Sequence, residues 1–265
     1  MRTALAVLAF MAFMTPALAV NKEQAEKAIV YSQAALGRAL PDLAFTDTEG
    51  RAVALRDFRG KPLLVTLIYT SCADVCPTLI ASLYPAVKAA MSTLGSASFA
   101  VITVGFDLRN DSPARLRSFA RTHGVDLPNW HFLAADAGSL EALAKAVGFG
   151  IYSRTGGFDH LAQISVVDAE GRLRQQIYGA VFEPPLIVEP LKSLILGRGE
   201  PVNSLDRLVD RIRYFCTVYD PGTGKYYFDY TLFVSIAVGL GCFSLILIVL
   251  IREWRRAAAS GAGPH

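Results

Sequence analysis

From residue 40 onward the chain alternates two kinds of apolar pattern. "PLLVTLIY" (62–69), "SFAVITVGFD" (98–107) and "WHFLAAD" (130–136) are short, nearly continuous apolar blocks, the pattern of strands buried on both faces. Between them the apolar positions recur at helical spacing, predicting helices from Pro77 to about Met91, from the Ser112-Pro113 start to about His123, and over "SLEALAKAVGF". "QISVVDAEGRLRQQIYG" predicts a hairpin turning at Glu170-Gly171, followed by a helix near Pro185 to Leu196. Upstream, residues 21–40 predict a short helix, and "DLAFTDTEGRAVALRDFRGKP" two short strands around Glu49-Gly50. Strands alternating with helices and ending in an antiparallel hairpin and helix predict an α/β sandwich with a central mixed sheet.

The two ends of the chain break this pattern. "MRTALAVLAFMAFMTPALAV" has a basic start, an apolar centre and small residues at Ala17-Leu18-Ala19, so residues 1–19 are expected to be an export signal cut after Ala19. Residues 232–251 are twenty uncharged positions, about 30 Å of helix, which matches a bilayer core. Tyr226, Tyr227 and Tyr230 precede that run, and Arg252, Trp254, Arg255 and Arg256 follow it. The positive-inside rule then puts the C-terminus in the cytoplasm and the main domain on the extracytoplasmic, periplasmic side of an inner membrane crossed once. The expected organisation is a domain over 20–200, a linker over 201–231, the span over 232–251 and a tail over 252–265.

Composition adds little to this. The 52% hydrophobic share reflects the two ends, and a net charge of +3 that includes the arginine cluster gives no nucleic-acid surface. Four cysteines are too few for a disulfide scaffold. Cys242 lies within the span and is expected to pack there, and Cys216 is expected to be an inert juxtamembrane thiol, with a part as a third working thiol, in ligand delivery or redox exchange, as the alternative.

The chemistry concentrates in "YTSCADVCPT". Cys72 and Cys76 follow the first buried strand, and Cys76-Pro77 opens a helix, whose N-terminus favours thiolates as nucleophiles or metal ligands. Three residues separate the thiols, a spacing open to a bound soft ion or to an intramolecular disulfide. A metal site needs a further ligand. Of the histidines, His160 stands in a glycine-bearing loop before a predicted strand; His123 reads as a helix C-terminal partner, His131 as packing or surface, and His265 ends the tail.

The blocks "LLVTLIYTSCADVCPT", "VGFDLRNDSPARLRSFARTHG", "NWHFLAAD" and "FDHLAQISVVDAEGRLRQQIYG" resemble, in this order, the Sco/SenC family of copper-handling factors for cytochrome c oxidase assembly. The resemblance covers about residues 40–196 and implies a thioredoxin-like three-layer sandwich. It implies that Cys72, Cys76 and His160 bind copper, as Cu(I) or Cu(II), with Asp74 and Asp107 in supporting positions. Two thiolates and an imidazole suit copper, whereas a structural zinc site would need a fourth protein ligand. Many family members carry an N-terminal anchor; this chain instead has a C-terminal span.

The expected function is that of a membrane-anchored copper chaperone, not a turnover enzyme. Its expected partners are the copper-bearing subunit of cytochrome c oxidase, other copper chaperones or thiol reductants, and the membrane through the C-terminal helix. The competing reading is a thiol-disulfide oxidoreductase in which one of Cys72 and Cys76 attacks and the other resolves, with a peroxiredoxin-like peroxidase as a distant third.

Overall fold

The computed structural model describes residues 15–73, 75–154, 157–197, 217–220, 223 and 225–260. The chain divides into two compact units, residues 1–200 and 201–265.

In the first unit, α1 (Thr15–Gln33) precedes the short strands β1 (Ala44–Asp47) and β2 (Ala52–Ala54) and one turn of 3-10 helix. Then β3 (Leu63–Ile68), α2 (Val75–Leu94), β4 (Ala100–Gly105), α3 (Pro113–Thr122), β5 (Trp130–Ala134) and α4 (Ala137–Val147) alternate. A small hairpin, β6 (Ile151–Arg154) and β7 (Gly157–His160), is followed by β8 (Gln163–Val167), β9 (Leu173–Tyr178) and α5 (Pro184–Leu196). Seven strands form one sheet in the order β2-β1-β5-β4-β3-β8-β9. β3, β4 and β5 run parallel, β1 and β8 lie antiparallel to β5 and β3, and β9 is antiparallel to β8, so the expected mixed sheet is present.

The reason lies in the residue pattern. Every residue of β3, β4 and β8 is buried, as the continuous apolar runs require of central strands covered on both faces. Leu64, Ile68, Ile80, Leu83, Phe99, Ile102, Leu133, Leu143 and Ile164 form the largest part of the fully buried core. Two helix starts are capped: Ser112, where the sequence sets a start, accepts from the Arg115 N–H at 3.3 Å with Pro113 behind it, and Asp136 accepts from the Ser139 N–H at 2.8 Å.

Three elements differ from expectation. α1 begins at Thr15, upstream of the helix expected from residue 21, and runs through the junction at which cleavage is expected; residues 1–14 lie outside the described residues. His160, expected in a loop, closes β7 of the hairpin, which forms its own two-stranded sheet. The region expected as a polar linker contains a second hairpin, β10 (Thr217–Asp220) with β11 (Lys225–Phe228), in which Tyr219 faces Tyr226. Within this second unit α6 (Thr231–Ser260) includes Phe233–Arg252, a stretch long and apolar enough to cross a membrane.

Candidate metal centre

The parallel sheet places the ends of β3 and β4 side by side, and the loops leaving them build the site. After Ile68 the chain passes through Tyr69, Thr70 and Ser71 to Cys72 before entering α2 at Val75. The Cys72 N–H donates to the Tyr69 carbonyl at 3.1 Å, which turns the strand sharply into the loop. The Cys76 N–H donates to Cys72 Sγ at 3.4 Å, so this sulfur satisfies one of the amides left open in the first turn of α2. Pro77 next to it has no amide to satisfy.

The two thiols are not joined in a disulfide, and they are unequal. Cys72 is half-buried and accepts that amide, whereas Cys76 is 1% exposed and burial pushes its thiol well above the ordinary range. Cys72 is therefore the more accessible sulfur of the pair. Cys76 loses its proton only when something replaces the solvation that burial denies it.

Asp111 fixes the loop in place. One carboxylate oxygen accepts from both the Thr70 N–H (2.8 Å) and the Thr70 hydroxyl (2.7 Å), and the other accepts from the Asp107 N–H at 2.8 Å. The loops after β3 and β4 are thereby tied through one side chain that is 5% exposed. Burial raises the Asp111 pKa, against the bonds from Thr70 and Asp107, which lower it. Gly105, the last residue of β4, makes room for this arrangement: a Cβ there would stand 2.6 Å from the Asp111 Cβ. Asp111 was not among the residues singled out from the sequence.

Asp107, which was, lies in the same turn. Its carboxylate accepts from the Arg109 N–H at 3.2 Å and from Asn110 Nδ2 at 2.6 Å, and is spent on shaping the turn. It also lines, with Ser71, Arg109, Ser153 and Phe158, a cleft of about 640 Å³ between the Cys loop and the β6–β7 hairpin. Asp74 and Cys216 lie outside the described residues.

His160 approaches from the hairpin. Its ring sits among Tyr69, Phe106 and Phe149, with centroids 5.9, 5.3 and 5.4 Å away. Burial lowers its pKa and favours the neutral imidazole that a metal requires. Nδ1 lies 3.3 Å from the Leu161 carbonyl, an arrangement in which Nδ1–H donates and the Nε2 lone pair is left for a ligand. Tyr69 stands beside both halves: its ring packs edge-on against His160 and Phe158, and burial first, then the neighbouring Cys72, raises its pKa.

Cys72 and Cys76 are thus brought together, and His160 packs against Tyr69, the residue that leads from β3 into the Cys loop. Among the described residues no three Cys, His, Asp or Glu side chains stand close enough to grip one ion. The donor set fits a soft ion in kind, two sulfurs and one imidazole, and is open in arrangement.

Comparisons with known proteins agree with this reading of the fold. An Aquifex aeolicus protein assigned to electron transfer is 29% identical, with a TM-score of 0.56 over 62% of this chain and 96% of its own, and shares the thioredoxin-like α/β fold. Bradyrhizobium japonicum ScoI with copper bound is 23% identical, with a TM-score of 0.51 over 59% of this chain and 99% of its own. BsSco, described as a member of the Sco family of cytochrome c oxidase assembly proteins and as holding a disulfide switch, is 24% identical, with a TM-score of 0.53 over 60% and 95%. The family model described as SCO1/SenC matches residues 34–196, which contain the whole mixed sheet together with Cys72, Cys76 and His160, and the chain belongs to the SCO1/SenC family.

Proposed function

We propose that this protein is a membrane-tethered copper-handling factor that takes up one copper ion through Cys72, Cys76 and His160 and serves the maturation of the copper-bearing subunit of cytochrome c oxidase. The observation that carries this reading is the pairing of a half-buried sulfur in the loop before α2 and a buried sulfur in its first turn with a neutral imidazole whose Nδ1 is engaged and whose Nε2 is left for a ligand. Copper in ScoI and oxidase assembly in the description of BsSco support it.

Copper is cargo here, and the protein's part is to offer and withdraw ligands. Cys72, whose sulfur already receives a helix N-terminal amide, meets the ion first. Cys76 follows, its proton displaced because the ion supplies the charge compensation that the apolar surroundings lack. The hairpin then brings His160 over the loop. A ligand set completed by a hairpin outside the main sheet suits a carrier, since the last ligand can also leave first.

The span in α6 supports a single-pass anchor with the tail on the cytoplasmic side and the thioredoxin-like domain facing the periplasm. A second reading, thiol-disulfide exchange on a partner, is favoured by the inequality of the sulfurs: an accessible Cys72 to attack and a buried Cys76 to resolve. The test is anaerobic Cu(I) loading of the full chain in detergent, with metal analysis and competition titration. One copper per chain is expected, weakened in His160→Ala and lost in Cys72→Ser and Cys76→Ser. Absence of tight copper binding, with rapid reduction of a small disulfide instead, would leave the oxidoreductase reading.

A further inference from the structure

We infer that Gln163 and Gln176 are positioning residues for His160: their buried side-chain amides converge on the Val147 carbonyl and clasp the base of the β6–β7 hairpin, which fixes where the imidazole stands relative to the Cys loop. This rests on the reading of His160 as a copper ligand.

The hairpin is not aimed by the main sheet. β6 and β7 pair with each other and, among the described residues, not with the seven-stranded sheet. Two short stalks join the hairpin to the rest of its unit: residues 148–150, which follow α4, and residues 161–162, which lead into β8. Ile151 stands opposite His160, so the stalks come together at the register position of the ligand itself. Val147 ends α4, and its carbonyl is one of those a helix end leaves unpaired. Gln163 Nε2 donates to that oxygen at 3.2 Å and Gln176 Nε2 at 2.6 Å. The Gln163 bond therefore runs from the foot of one stalk to the foot of the other. Phe149, in the first stalk, packs on His160 with centroids 5.4 Å apart, so a shift of that stalk moves a wall of the imidazole's surroundings.

The clasp is itself fixed to the sheet. The Gln163 carbonyl accepts from the Thr66 hydroxyl at 3.4 Å, and Thr66 lies in β3, the strand that leads to Cys72. Gln176 Oε1 accepts from the Ser165 hydroxyl at 2.7 Å. Gln163 and Gln176 are 2% and 7% exposed, among the buried Ile164, Val166 and Ile177 of the same two strands. Gln163 Oε1 has no hydrogen-bond partner among the described residues. Apolar side chains would fill both positions without that desolvation cost, so stability alone does not account for two amides here. What the amides supply, and apolar side chains cannot, is bonds of defined direction between the hairpin's base and the sheet.

The test is hydrogen exchange read by peptide mass on the full chain in detergent, metal-free and with thiols reduced, followed by Cu(I) competition titration of the same variants. Gln163→Met keeps the length of the side chain and removes the donor. Gln176→Met removes the other donor and takes its place if the first variant does not fold. In either, exchange over residues 151–160 is expected to rise about fivefold, the value of one ordinary hydrogen bond, with β3 and β4 unchanged. Cu(I) affinity is expected to fall by about the same factor, because the ion must draw a looser hairpin back, and this loss is expected to vanish in the His160→Ala background. Unchanged hairpin exchange, exchange that rises equally through the sheet, an unchanged Cu(I) affinity, or an affinity loss that persists without His160 overturns the inference. If His160→Ala alone leaves Cu(I) affinity at the wild-type value, it is the copper-ligand reading of His160 that fails, and the exchange data still decide on the clasp.

Discussion

Removing the Asp111 carboxylate tests how the Cys loop is held. In Asp111→Ala the Thr70 N–H and the Asp107 N–H, now paired at 2.8 Å each, are left without their acceptor in a buried place, and the Thr70 hydroxyl loses its 2.7 Å bond. Each stranded backbone donor costs about 1–3 kcal/mol. Part of this is returned, because a carboxylate whose pKa is raised by burial no longer has to be kept charged. A net loss of about 3 kcal/mol is expected, which for a domain of this size lowers the melting temperature by roughly 6–12 °C.

The contrast that gives this number its meaning is Asp107→Ala. It removes only the turn's own bonds from Arg109 and Asn110 and is expected to cost about 1 kcal/mol. Asp111→Asn falls between the two: its carbonyl oxygen can keep both Thr70 bonds, but its amide then faces the Asp107 N–H. Thermal unfolding by circular dichroism ranks the three variants, and Cu(I) competition on the same samples asks whether a loosened loop also weakens binding, as the tie to Thr70 predicts. A melting temperature for Asp111→Ala within about 2 °C of wild type, or a greater loss in Asp107→Ala, would refute the reasoning.

Two further outcomes follow from the same structure. Gly105→Ala places a Cβ 2.6 Å from the Asp111 Cβ and is expected to cost about 1–3 kcal/mol through overpacking, read as a lowered urea midpoint with an unchanged slope. His131 packs on Phe58 with centroids 5.3 Å apart, and burial first, then Lys61, hold its pKa below the ordinary 6.5. Because the unfolded chain takes up that proton more readily, stability should decline as pH falls through 6.5 toward the folded pKa. His131→Phe should show a shallower decline over that window in urea titrations, and an equal slope would exclude the assignment.

The central strands were legible in the sequence because burial on both faces leaves nothing polar to disguise them: "PLLVTLI" and "AVITVG" permit few other readings. The hairpin holding His160 was not. In "IYSR" and "GFDH" exposed and apolar positions mix, and among the described residues the two strands pair with each other alone, so neither a continuous apolar block nor a clean alternation marks them. Cys72 and Cys76 were marked by their own chemistry. Asp111 was hidden behind the more conspicuous Ser112-Pro113 cap, and its main partner, Thr70, is 41 residues away. The signal that could have found it is a glycine ending a buried strand, followed by two closely spaced aspartates that the apolar surroundings leave little water to solvate. Tyr69 read as the last residue of a strand, and only the fold brings its ring against His160.

The antiparallel pairing of β3 with β8 has a consequence in time. Thr66 stands opposite Ile164, so the strand delivering the cysteines and the strand that follows His160 meet only when the centre of the sheet closes. His160 follows Cys76 by 84 residues, and the loop between them includes β4, β5 and their helices. Closing so long a loop is among the late and slow events of folding. A chain still being synthesised therefore holds its thiol pair and its imidazole far apart along an extended polymer. On the proposed reading, copper encountered at that stage finds two neighbouring thiols and no imidazole, and the full proposed ligand set becomes a property that only the finished sheet confers.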